Sequence, residues 1–366
     1  MRNPQFRKTV RGRETSQTES LPAPVGGLNA RDSAANMSPL DATIMDNWFP
    51  ETNDVRVRKG VDDHVTGLVS QVESLMAYNK PDGTQELFAA EGTDFFDVTA
   101  AGAVGAAVVT GLTNARWQHA NFTNSGGTSF LTTFNGVDSP QYWDGSTWTP
   151  ITGVSSPAIT GITPTTIIGV EVHKRRMWLV VVDSLKAFYL PVDQVGGEAK
   201  PLDLGGIAKK GGFIMAIGTW TLDAGEGADD YWAAITSEGQ IVVYRGTDPS
   251  SFATWKLHGV WDVGEPIGRR CRIKYNGDVL FITVDGVLSL SRIILSTSTD
   301  QNVPITEKIN KSITDASLAH KTKFGWQLLH LPQEIQLILN VPVKEGSDQQ
   351  QFVMNTITRN WGSFSP

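Results

Sequence analysis

From about residue 70 onward one unit of sequence recurs roughly six times, and that repetition leaves few folds open. Each copy holds an apolar strand, a Gly-containing turn, a second apolar strand, a short Asp/Gly turn and a strand carrying aromatics. A Trp or Gly often closes it. The clearest copy places strands at 117–122, 129–134, 141–143 and 148–151. Ser125-Gly126-Gly127, Asn135-Gly136-Val137-Asp138 and Asp144-Gly145 separate them, and these are residues that tight hairpins demand. The other copies place strands at 74–79, 86–90 and 95–99; at 167–173, 177–182 and 187–190; at 213–222, 231–236, 241–245 and 255–258; at 272–275, 279–284 and 287–294; and at 324–331, 334–341 and 351–356, the last closed by Trp361.

A repeat of about 50 residues with four strands describes a β-propeller, in which each blade buries its face on the next. Phe95, Tyr142, Phe188 and Tyr244 fall at corresponding points of four copies and support the count. A two-sheet sandwich repeated twice is the competing all-β solution, but it leaves edges that a closed ring covers. The expected fold is therefore all-β, a six-bladed propeller over residues 61–366. With 36 Gly, 18 Pro and 11 Trp in 366 residues, many short strands joined by tight turns suit the composition better than helices. Residues 299–321 break the pattern, and 306–313 read as a short helix or an insertion.

Two segments precede the repeats. Residues 1–24 form a polar arm in which Arg2, Arg7, Lys8, Arg11 and Arg13 cluster, with too little apolar surface to order itself. It is a solvated tail or an arm that docks on an acidic partner or DNA. Residues 25–60 read as a Gly26-Gly27 hinge, a helix and a strand. Ser38-Pro39-Leu40-Asp41 has the spacing of a capped helix start, and Leu40, Ile44 and Trp48 then share one face. Pro50 stops the helix. Val55, Arg56, Val57 and Arg58 alternate as a half-buried strand. That strand is the natural one to close the ring beside 352–356, with Val55 and Val57 towards the neighbouring blade and the two arginines outside.

Chemistry-bearing motifs are scarce. The six histidines stand apart without metal-ligand spacing, and Asp223–Asp230 departs from a calcium loop. Gly-x-Ser-x-Gly is absent, and Lys209-Lys210-Gly211-Gly212 lacks the rest of a phosphate loop. Cys271, the single cysteine, reads as a small buried apolar residue. No cofactor is expected. A net charge of −7 argues against general nucleic-acid binding, which rests on neutralising phosphates. No apolar run has membrane-spanning length, and the basic N-terminus lacks the apolar core of a secretory signal. Lys174-Arg175-Arg176 and Arg269-Arg270 read as solvated turn charge, or as contacts to acidic neighbours or phosphate.

The order of the parts in 25–60 is more specific than any one of them. Gly-Gly-Leu-Asn-x-Arg-Asp, Pro-Leu-Asp-Ala, Asp-Asn-Trp-Phe-Pro-Glu and Val-Arg-x-Arg-x-Gly together resemble the opening of the tail-nozzle proteins of short-tailed bacteriophages. These are also called packaged-DNA stabilisation or tail-hub proteins. Residues 352–362, Phe-Val-Met-Asn-Thr-Ile-Thr-Arg-Asn-Trp-Gly, resemble the family's closing strand, turn and Trp. The resemblance implies a non-enzymatic virion protein, assembled in the host cytoplasm, whose copies form a hexameric ring below the head-to-tail adaptor. The ring would extend the DNA channel, retain the packaged genome and guide its ejection. Double-stranded DNA would pass without sequence-specific binding, and tail spikes or fibres are further candidate neighbours. By the same analogy Asp46, Asn47, Trp48, Phe49 and Pro50 would meet the adaptor or a neighbouring subunit. The chain is short for the family, which leaves its part in gating open. The alternative is a propeller lectin or glycosidase on a phage tail, drawn from the aromatic turn Tyr142-Trp143-Asp144-Gly145-Ser146-Thr147-Trp148. Asp144 and Gly145 are adjacent where a sialidase box separates them, and a tight turn between two packed aromatics explains that stretch better.

Overall fold

A computed structural model describes residues 21–221, 230–295 and 303–365. Six antiparallel sheets follow one another along the chain, each beginning with its innermost strand. Blade 1 comprises Val72–Asn79, Gln85–Glu91 and Asp94–Asp97, with Val109 bridging Phe95 in the fourth place. Blade 2 comprises Gln118–Thr123, Ser129–Phe134, Gln141–Trp143 and Trp148–Pro150. Blade 3 comprises Ile167–His173, Arg176–Val181, Lys186–Tyr189 and Lys200–Asp203. Blade 4 comprises Ile214–Thr221, Asp230–Thr236, Gln240–Gly246 and Trp255–Asp262. Blade 5 comprises Arg272–Tyr275, Asp278–Thr283 and Gly286–Ser289. Blade 6 comprises Gln327–Leu331, Gln336–Lys344, Asp348–Asn355 and Trp361–Phe364. Successive innermost strands pack side by side around an axis, and the fold is a six-bladed β-propeller.

Apolar side chains fill the spaces between blades. Met76, Tyr78, Phe88, Phe95, Trp117 and Leu131 join blades 1 and 2, with Trp143 and Trp148 packed against them. The aromatic turn is thus structural: Trp143 pairs across its hairpin with Trp148, and both rings lie edge-on to Phe88 at 5.2 and 5.0 Å. Asp144 accepts the amides of Ser146 and Thr147, each at 2.8 Å, which closes the turn. Phe95, Tyr142, Phe188 and Tyr244 all lie on the third strand of their blades, as the repeat predicts.

Blades 3 and 4 meet through Trp178, Trp232, Trp255, Tyr189 and Tyr244. His173 closes one end of this cluster, 3% exposed, its ring edge-on to Trp255 at 5.8 Å. Its Nε2 is buried without a hydrogen-bond partner. Burial first, and then the adjacent Lys174, hold this imidazole down to about 4. The folded state therefore keeps His173 neutral while an unfolded chain protonates it near 6.5. Stability should fall as pH drops from about 6.5 to about 4, by about 3 kcal/mol in total from this group. Urea midpoints measured across that window check it, and His173→Phe should flatten the slope.

Several sequence expectations need correction. No helix forms from Ser38; Gly27–Leu28 pairs in parallel with Asp41–Ala42, and the chain continues extended into Trp48–Pro50. The helices lie later: Leu290–Leu295, here α1, and Asn310–His320, here α2, the latter falling where the pattern breaks. The expected strand 287–294 ends at Ser289 and turns into α1, because Asp278 accepts the Ser291 amide at 3.0 Å and caps the helix start. The third correction concerns ring closure: blade 6 is built wholly from the C-terminal end of the chain, and Val55–Val57 pairs with Trp48–Pro50 rather than with 352–356. Lastly, Arg269 and Arg270 lie in a turn but are not solvated there; both are half-buried and bonded to other blades. The arm residues Arg2, Arg7, Lys8, Arg11 and Arg13 lie outside the described residues, as does most of 223–230.

Candidate assembly interface and central hub

The two ends of the chain meet at the outer edge of blade 6. The Ser363 amide donates to Met45 O at 3.0 Å, and the Asn47 amide donates to Ser363 O at 2.7 Å. Asp46 and Ser363 also share a side-chain hydrogen bond, and Asn47 Nδ2 donates to Ser365 Oγ at 3.2 Å. Gly362 makes this approach possible, since a Cβ there would lie 2.5 Å from Trp48 O. Gly27, at φ 79°, passes Trp361 O with the same clearance. Further along, Lys308 reaches out from the turn before α2. Its Nζ donates to Asp41 at 2.8 Å and to Gly26 O at 3.0 Å.

This clasp decides what the signature residues are free to do. Phe49 is buried with Ile338, Val353 and Phe364, and Pro50 O accepts from Asn355 Nδ2 at 3.0 Å. Asp46 and Asn47 carry the bonds to Ser363. Among residues 46–50 only Trp48 turns a large apolar surface outward, at 44% exposure. Val57 lies opposite it on the hairpin and is also exposed, while Ile44 and Leu40 stand out from the extended stretch before it. The arginines of the hairpin face the opposite way from the expectation. Arg56 lies over the Phe49 ring at 5.5 Å and Arg58 over Phe364 at 5.3 Å, so both close the clasp, while Val57 points to solvent. Val55 packs against the main core.

At the propeller axis lies a cavity of about 570 Å³, lined from blades 1, 2, 3, 5 and 6. Arg269, Arg270 and Arg272, at the entry to blade 5, line it. Arg269 Nη1 donates to Ile214 O of blade 4 at 2.8 Å, and its guanidinium covers the Phe213 ring at 4.7 Å. Arg270 donates to Gln327 of blade 6 at 3.4 Å, to Glu73 O at 2.9 Å and Ser74 Oγ at 2.6 Å of blade 1, and to Trp117 O, entering blade 2, at 2.9 Å. Arg272 passes over Gly218 of blade 4 to reach blade 3, where it donates to Val170 O at 3.0 Å and pairs with Glu171. Lys274 also meets Glu171, at 2.7 Å. Three arginines at the entry to blade 5 thus touch every other blade. Cys271, between them in sequence, is buried in the apolar core, and burial pushes its thiol up to about 12.

The hub matters most at the seam between first and last blades. The large apolar clusters join blades 1–2, 2–3, 3–4 and 4–5–6. Among the described residues no such cluster spans blades 6 and 1. There, Phe324 is flanked by Arg116 at 4.5 Å and Arg270 at 4.8 Å, and Arg116 pairs with both Glu73 and Glu345. The other basic cluster lies on the hairpin turn between the first two strands of blade 3, with Arg175 exposed, and its ion pairs are within the chain. Lys174 pairs with Asp230, Arg175 with Asp193 and Arg176 with Asp248, which meets the expectation of acidic neighbours. Sequence reading missed Arg272, Phe324 and Glu171. The one available signal was the density of arginines, Arg269, Arg270 and Arg272 within four residues at the entry to a strand.

No group of three or more metal-ligating side chains gathers among the described residues. No described helix is long and apolar enough to cross a membrane. No family model and no curated protein matches the chain. Solved structures of similar shape are distant. The β-propeller domain of Cps50 (Swd1) from Myceliophteria thermophila is 10% identical with a TM-score of 0.46, over 79% of this chain and 86% of that one. Saccharomyces cerevisiae Sqt1 is 10% identical at 0.45, over 81% and 75%. Chaetomium thermophilum Raptor is 9% identical at 0.49, over 82% of this chain but 25% of Raptor. Such likeness carries nothing about function, and the blade count rests on the six sheets themselves.

Proposed function

We propose that this chain is a structural virion protein, the nozzle subunit of a short phage tail. Its copies form a hexameric ring below the head-to-tail adaptor, extend the DNA channel, retain the packaged genome and guide its release. The observation that carries this is the meeting of the two stretches that resemble the family. They lie at opposite ends of the chain and interlock where Asn355 donates to Pro50 O and Asn360 to Val25 O, with Ser363, the next residue on, bonded to Met45 and Asn47. The interlock leaves Trp48 exposed while Phe49 and Pro50 are buried and Asp46 and Asn47 are bonded to Ser363, which suits one residue kept for a partner. A ring needs one heterologous contact repeated around an axis, and the Trp48 face supplies one half of it. The propeller's own axis holds the arginine hub, so the duplex runs along the axis of the ring, between subunits. A net charge of −7 suits a wall that duplex DNA slides past.

Adjacent substitutions test this. Trp48→Asp should leave unfolding free energy within about 1 kcal/mol of the parent, yet weaken ring assembly or adaptor docking by roughly 30-fold or more. Phe49→Ala should do the reverse and cost about 3 kcal/mol of stability. Denaturant melts and analytical ultracentrifugation separate the two effects. Unchanged assembly of the Trp48→Asp protein would remove the proposed interface.

A further inference from the structure

The cavity above the hub has features that neither ring assembly nor blade packing requires. We propose that it binds a small tetrahedral oxyanion of the phosphate or sulfate kind. The first argument is charge. Arg269, Arg270 and Arg272 line it with one carboxylate, Glu73, which is already paired with Arg116. Arg272 shares Glu171 with Lys274. Among the described residues Arg269 and Arg270 have no carboxylate at ion-pair distance; their partners are carbonyls, a hydroxyl, an amide and a ring. Asp183 acts on Arg269 and Glu73 on Arg270 only from beyond that distance, so both guanidiniums lack a direct counter-ion inside a protein that is acidic as a whole. Enclosure makes such charge costly unless an anion joins it. Burial already holds Arg270 down to about 10.

The second argument is the inventory of donors. The four η hydrogens of Arg270 are spent on Glu73 O, Gln327, Ser74 and Trp117 O, so this residue supplies field rather than contacts. Arg269 spends one on Ile214 O, and Arg272 spends Nη2 on Val170 O and Glu171. Arg269 Nη2 and Arg272 Nη1 remain for a ligand. Asn340 accepts from Gln351 through Oδ1 at 2.8 Å, which leaves its amide nitrogen to donate. His119 lines the same cavity from blade 2. Its ring is open to cavity water, yet blade walls surround it. That enclosure, with Arg270 and Arg272 facing it, holds the imidazole below its usual range. A bound anion would reverse the balance, because His119 would gain a counter-charge.

Calorimetric titration of the full chain tests the site, with inorganic phosphate in one arm and adenosine monophosphate in the other, at ionic strength fixed with sodium chloride. One saturable equivalent of either anion is expected, accompanied by an upward shift of the His119 titration in NMR spectra. Phosphate alone binding identifies the free ion; the nucleotide alone binding identifies a phosphate ester. His119→Ala and Arg269→Met should each weaken binding about tenfold. Neither replaces a residue that the seam depends on. Absence of saturable heat in both arms overturns the site, and so does full-strength binding by both variants. The result is independent of ring assembly, which the Trp48→Asp protein reports separately.

Discussion

Arg270→Met lowers the free energy of unfolding by about 3 kcal/mol and opens the propeller between its first and last blades. The expectation follows from what the guanidinium does there. Every other junction between blades is filled by a buried apolar cluster, whereas blades 6 and 1 are drawn together by Arg270 and Arg116 around Phe324. Methionine fills much of the volume but donates nothing. Glu73 O and Trp117 O lose their donor, at roughly 1–3 kcal/mol for each buried acceptor left unpaired. Cavity water can reach part of the site, which places the total at the lower end. Arg270→Lys keeps the charge but not the fork and should recover only part of the loss. Hydrogen exchange separates local from global effects. Amides of Val72–Asn79 and Gln327–Leu331 should lose protection before those of Asp230–Thr236.

Trp361→Ala has an effect of similar or larger size, about 4 kcal/mol, and acts on the clasp. Trp361 is 1% exposed and fills the space between blade 6 and the turn before α2. Its Nε1 donates to Ile305 O at 3.1 Å, and its backbone carries Gly27 against it. Truncation leaves a large void and frees the outermost strand, Trp361–Phe364, on which Met45 to Asn47 depend. The N-terminal segment should then detach. Limited proteolysis within 51–63 should become fast at temperatures where the propeller still resists cleavage. Simultaneous loss of both segments would mean that the clasp and the ring unfold as one unit.

The strands of the propeller were legible because their turns announce themselves. Gly145 at φ 96° and Gly277 at φ 78° sit where Asp-Gly and Asn-Gly pairs require them, and the flanking strands follow within one or two residues. The segment from Ser38 to Trp48 misled because helix signals are local while its hydrogen-bond partners are not. Ser38-Pro39 and the spacing of Leu40, Ile44 and Trp48 favour a helix. Ser363 nevertheless claims the backbone of Met45 and Asn47 from the far end of the chain. The arginine hub was illegible for a related reason. Adjacent charges read as solvated when nothing nearby can pair with them, and the carbonyls that satisfy Arg269, Arg270 and Arg272 come from five other blades. Of the expected interface, Trp48 kept an outward face, while Asp46, Asn47, Phe49 and Pro50 turned out to be the clasp that presents it.

Native mass spectrometry of the purified 39.8 kDa chain, repeated with the Trp48→Asp protein, tests the nozzle assignment most directly. A closed assembly of uniform subunit number that appears at roughly micromolar concentration, and is lost in the variant, is the predicted result. Monomer alone up to about 100 µM, with or without an adaptor ring present, would contradict it.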